Sequence, residues 1–279
     1  MSMRMEAVDG AKIGAVLRPT LTFGIRFAKK PVEQAPMKNL LTLGLAASLT
    51  MPAFAQKHVY EDLLVKFVDE KYEDVLAKAQ SYTENDDTKK DPLPYLYISM
   101  SLYEMSKIEK YRAMEEYKKA DKDAVKWAEK YRKKDKEKQF FDNYADFWAE
   151  LNTMAGESGL NFYDEGPKGM SKAKQMFDGM TGYYPENPGP WLMLALCQYS
   201  TNLAKEGEIS MKNFQKALDD AGGAGNLPDD QKKLLKQAMM NYATWKDTKG
   251  DKAAGKAMLE QGKEAFIADP DFKTFYENY

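Results

Sequence analysis

The chain has 279 residues, 43% of them hydrophobic and 30% charged, with a formal net charge of −2. That is enough for a packed core in one elongated repeat array or one to two compact domains. A single cysteine, Cys197, and a single histidine, His58, exclude an internal disulfide and any Cys-rich zinc site, and leave almost no imidazole chemistry.

Residues 1–36 contain Gly10, Gly14, Pro19, Gly24 and Pro31 and show no sustained helical or strand period. They are expected to be a mis-called or disordered extension, with the true start at Met37, the alternative being a genuine long n-region of the signal that follows. Residues 37–56 have the parts of a secretory signal. Lys38 supplies a positive start, Leu40 to Leu49 an apolar stretch, Pro52 a helix breaker, and Ala53-Phe54-Ala55 a small-x-small site with cleavage expected before Gln56. A membrane span needs roughly 20 apolar residues, so a retained anchor is the weaker reading and a core helix weaker still. No cysteine follows the site, so no lipoprotein signal is expected. The product is expected to be exported, periplasmic or secreted, with no stable membrane span after cleavage. Residues 1–55 carry seven Lys/Arg against three acids, which leaves −6 on the remainder. A mildly acidic body argues against nucleic acid as a partner.

Residues 56–279 read as helical almost throughout. Apolar residues recur at three and four, as in Leu63, Leu64, Phe67, Val68 and then Tyr72, Val75, Leu76, Ala79. Gly and Pro punctuation predicts helices at 58–69, 72–84, 92–106, 108–134, 138–163, 167–183, 188–204, 208–221, 228–247 and 250–267, with a last turn from 270. The fold class is all-α: about five antiparallel helix pairs, none able to bury its apolar stripe alone.

Candidate chemistry is sparse along this stretch. Glu61, Asp62, Asp69, Glu70, Glu73 and Asp74 lack the spacing of a calcium loop and read as surface charge. Residues 84–92 read as a polar loop. Lys107 to Lys138 holds 13 Lys/Arg and 8 Asp/Glu. It reads as a solvated helix face with i,i+4 pairs, the alternative being a patch for an acidic protein, a lipid head group or a glycan. Cys197 lies in an apolar run far in sequence from His58 and reads as a small buried residue. Ala221 to Gly225 reads as a turn between hairpins, not a phosphate cradle. No Ser/His/Asp set and no HExxH occurs, so no catalytic residue, cofactor or metal is expected and the protein is not expected to be an enzyme.

The segment Ala173 to Tyr199 carries the most specific pattern. A small residue, Ala173, precedes an aromatic, Phe177, by four; Pro185 follows eight later; Trp191, Leu194 and Ala195 then open another helix. This resembles the tetratricopeptide repeat. Asp91-Pro92 to Tyr103 aligns with Asn187-Pro188 to Tyr199, with Tyr95 at the place of Trp191, Ile98 at that of Leu194 and Ser99 at that of Ala195. Ala265 to Tyr276 resembles a closing segment and the start of a further helix. Between these stretches the helices look longer, with Trp127 and Tyr131 on one and Phe140, Tyr144, Trp148 and Leu151 on the next.

The resemblance implies a TPR-like superhelical solenoid whose first helices line a concave groove that binds proteins or peptides. It places Leu96, Met100, Tyr103 and Glu104 from one hairpin and Leu192, Leu196, Tyr199 and Asn202 from another as protein-binding candidates. The expected function is an exported scaffold or adaptor in the cell envelope. The rival is a secreted helical enzyme or carbohydrate-binding protein built on Trp148, Asp146 and Glu150. A self-assembling structural protein is a third reading.

Overall fold

The structure is a computed structural model and describes residues 58–279. The expected extension 1–36 and signal segment 37–55 lie outside the described residues. The described residues form twelve α-helices and no strand: α1 Glu61–Val68, α2 Tyr72–Glu84, α3 Pro92–Lys107, α4 Glu109–Arg112, α5 Ala120–Lys134, α6 Ala145–Asp164, α7 Met170–Tyr183, α8 Pro188–Ser200, α9 Ala204–Asp220, α10 Asp229–Thr248, α11 Lys252–Phe266 and α12 Pro270–Asn278. None of these helices is long and apolar enough to cross a membrane.

Short polar residues and prolines set the helix starts. Asn187 caps α8 by accepting from the Gly189 N–H, with Pro188 and Pro190 in the first turn. Asp251 caps α11, and Asp269 accepts from the N–H groups of Asp271 and Phe272 at the start of α12. The helix stop after α10 is Gly250, at φ +75°, a left-handed conformation that glycine adopts without strain.

Three predicted boundaries differ. The helix expected over 108–134 is interrupted: α4 is one turn, and residues 113–119 turn before α5 begins. Successive i→i+3 bonds (Met114 N to Tyr111 O, Tyr117 N to Met114 O, Ala120 N to Tyr117 O) carry the chain through. The rings of Tyr111 and Tyr117 meet edge-on at 5.7 Å across this bend. No Gly or Pro marks the place, which is why periodicity reads through it. The helix expected from 138 starts at Ala145, after a 3₁₀ turn at Phe141–Tyr144. The buried Asp135 carboxylate folds this loop, accepting the N–H groups of Gln139 at 2.7 Å and Phe140 at 3.0 Å and the Tyr131 hydroxyl. Finally, α8 ends at Ser200, with Asn202 at φ +60°, and α9 starts at Ala204 rather than 208.

Consecutive helices pack as hairpins: α1 with α2, α3 with α5, α6 with α7, α8 with α9 and α10 with α11. The second helix of one pair packs on the first of the next at α2–α3 and α7–α8. One contact skips a pair: α10 packs on both α8 and α6, so α6, α7, α8 and α10 close into a ring. Asn152 on α6 fastens it, donating to Asp230 on α10 at 2.8 Å and accepting from the Tyr183 hydroxyl on α7 at 2.7 Å.

The two matching segments occupy equivalent places. Tyr95 donates its hydroxyl to the Lys89 carbonyl at 2.8 Å, and Trp191 donates its indole N–H to the Pro185 carbonyl at 2.8 Å. Each reaches six residues back across its helix start. Ile98 and Leu194 are both core, and Ser99 and Ala195 are both fully enclosed. Ser99 also donates across its hairpin to the Ala124 carbonyl at 2.7 Å. Phe177 is fully buried in the α6–α7 contact, where Gly159 leaves it room: a Cβ there would lie 2.6 Å from the Phe177 ring. Burying such a ring contributes roughly 1.5–3 kcal/mol.

Candidate functional site

The helix α6 divides lengthwise into two faces. Phe147, Trp148, Leu151, Ala155, Gly156 and Gly159 point into the core. Ala149, Glu150, Thr153, Met154, Glu157, Ser158 and Asn161 share the other face, and they form one wall of a hollow of about 860 Å³. At ~1.5 Å rise per residue that wall is about 18 Å long, the length of roughly five extended residues. Tyr103, Ser106 and Lys107 at the end of α3 face it, Arg112, Tyr117, Lys118 and Asp121 on and between α4 and α5 bound one side, and Asp230 of α10 lies below. The hollow exists because the chain bends at 113–119 instead of continuing a helix into that space.

The rim is charged with both signs. The Lys107 ammonium lies 2.7 Å from Glu104 and 3.6 Å from Glu150, and 4.2 Å from the Tyr103 ring centroid. Arg112 pairs with Glu109, Lys118 with Glu115, and Lys233 with Glu157 at 2.6 Å. Such exposed pairs are worth about 0–1 kcal/mol each, so incoming charged groups can exchange with them. Burial, then the nearby Glu150 carboxylate that its hydroxyl engages, holds the Tyr103 phenol well above its ordinary value, so it stays a neutral donor. Ser158, Asn161 and Asp121 make no side-chain hydrogen bond or ion pair among the described residues, and so keep their polar groups available.

The eight sequence candidates separate. Tyr103 borders the hollow but is itself buried, its ring edge-on to Phe147, and Glu104 positions Lys107 at the hollow's edge. The expectation of groove contact does not hold for Leu96, Leu192 and Leu196, which are fully enclosed; Met100 is buried as well. The reason is that α3 packs against α2 and α5, and α8 against α7, α9 and α10. A helix covered on all sides is apolar all round. Tyr199 lies elsewhere, its ring stacked on Trp245 at 5.0 Å and 10° and pressed against Gly207. Asn202 is exposed in the turn after α8. The α3 and α8 candidates therefore do not share one groove.

The residues of the rival reading separate too. Trp148 is 2% exposed, stacked on Phe141, Tyr131 and Tyr183, with its indole N–H donated to the Phe141 carbonyl at 2.8 Å. It offers no face to a sugar, while Asp146 and Glu150 are exposed. Cys197 is fully enclosed, and burial pushes its thiol up to about 12. The polar face of α6 was missed in the sequence. Its signal is present: small and polar residues at 149, 153, 157, 158 and 161 recur at helical spacing opposite the aromatic stripe. Comparison with protein-family models, with curated proteins and with solved structures finds no match.

Proposed function

We propose that this protein is an exported, non-catalytic scaffold or adaptor of the tetratricopeptide-like kind, which holds an extended segment of a partner protein in the hollow between α3, α6 and α10. The observation that carries the reading is the hollow itself: a wall about 18 Å long by helix rise, lined by the first helices of three hairpins, with uncommitted polar groups along it. That is the side on which the resemblance puts partner contacts. The matched hydrogen bonds of Tyr95 and Trp191 support a repeated unit. The contact of α10 with α6 would make this solenoid tighter than one in which each repeat meets only its neighbours. Export rests on the signal-like segment 37–55, and N-terminal sequencing of the natural protein tests it: the expected first residue is Gln56. To test the hollow, Ser158→Trp fills it from a half-buried position. The expected result is loss of partner co-purification from the native envelope with an unchanged helical CD spectrum; retained co-purification would refute the assignment.

A further inference from the structure

A second, smaller hollow lies where α2, α3 and α5 meet, away from the α6 wall. It measures about 450 Å³ and is lined by Thr83, Tyr95, Trp127, Lys130, Lys133 and Lys134. The lining has three ammonium groups and no carboxylate. Trp127, Lys130 and Lys134 fall at i, i+3 and i+7 on α5, and so share one helix face.

The cations are unequally committed. Lys133 is paired with Glu129 at 2.6 Å, and neighbouring Lys126 lies 3.5 Å from Asp123. Lys130 and Lys134 form no ion pair among the described residues. Their ammonium groups lie over aromatic rings instead, Lys130 at 3.6 Å from Trp127 and Lys134 at 5.3 Å from Tyr95. The two rings are 5.8 Å apart and tilted by 44°, and both lysines line the same hollow. Burial, and then the like charge of Lys126, lowers the pKa of Lys130 from its ordinary value.

We propose that this hollow is a binding subsite for a phosphate ester, with the phosphate bridged between the Lys130 and Lys134 ammonium groups and Lys133 at its rim. Lysine suits this role as a mobile point charge that several oxygens of one phosphate can engage. Tyr95 and Trp127 hold the stems in place and offer ring edges to the ester's organic part. The partner-holding reading of the larger hollow does not depend on this site.

The test is calorimetric titration of the purified chain, at low ionic strength, with inorganic phosphate, glucose 6-phosphate and glucose. The expected result is saturable one-site binding of both phosphates, no binding of glucose, and at least a tenfold loss of affinity in Lys130→Ala with Lys134→Ala. Lys130→Arg with Lys134→Arg should restore most of the affinity, because it returns the charge. A control pair on exposed lysines elsewhere, Lys212→Ala with Lys249→Ala, should bind as the parent does. The proposal is overturned if neither phosphate binds, or if the control pair weakens binding as much as the Lys130/Lys134 pair.

Discussion

Tyr103 and Tyr199 occupy the same place in two matching helices, twelve residues after Asp91 and Asn187, which immediately precede those helices, yet they meet different surroundings. The α3 helix is followed by a single turn and the bend at 113–119, and this leaves open space beside Tyr103. The α8 helix is followed within three residues by α9, and Trp245 of α10 stacks on Tyr199. The repeated motif fixes how each helix packs inward. The next element of the chain decides whether the helix end opens onto a hollow or onto another ring.

The largest effect is expected from Phe177→Ala, which empties the α6–α7 contact that sets the hollow's wall. Truncating a fully buried Phe costs about 3–5 kcal/mol, which lowers Tm by roughly 10 °C in a chain of this size. A shift under a few degrees by thermal CD would mean that the ring does not lock the hairpin. Next comes the contrast between the two tyrosines. Tyr103→Ala should weaken partner capture by about tenfold, near 1.4 kcal/mol, while Tyr199→Ala leaves it unchanged. Quantitative pull-down at matched folded concentrations distinguishes the two, and equal losses would erase the contrast.

A smaller effect tests the shared motif. Tyr95→Phe and Trp191→Phe each remove one hydrogen bond across a helix start, worth about 1 kcal/mol net. Chemical denaturation should therefore give similar losses for the two, with some extra from the smaller ring in Trp191→Phe. A neutral result at one site alone would show that the two segments are not equivalent. The smallest effect is at Cys197, where an enclosed thiol held near 12 is expected to ignore a thiol reagent at pH 8 until denaturant is added. Stoichiometric labelling of the folded protein would contradict the packing of α8.

The helical class was legible because apolar residues recur at three and four from Leu63 onward. The paired segments were legible because Pro, aromatic and small residues fall at matched positions. The interruption at 113–119 was not, since a bend stabilised by Tyr111 against Tyr117 leaves no Gly or Pro in the sequence. Placing candidates on α3 and α8 overlooked a cue that the sequence does hold. Leu93 to Tyr103 and Trp191 to Tyr199 have no charged face, and a helix without one is enclosed. The closure of α10 onto α6 rests on Asn152, Tyr183 and Asp230, far apart in the chain, and no local pattern announces such a contact.

Site-specific photo-crosslinking in the native envelope shows whether a partner segment lies along the α6 wall. A photoreactive residue at Met154, on the α6 wall, is compared with one at exposed Ile209 on α9. The expected result is a discrete polypeptide adduct from position 154, lost when Ser158→Trp is added, and none from 209. No adduct at 154, or the same adduct from both positions, would contradict it.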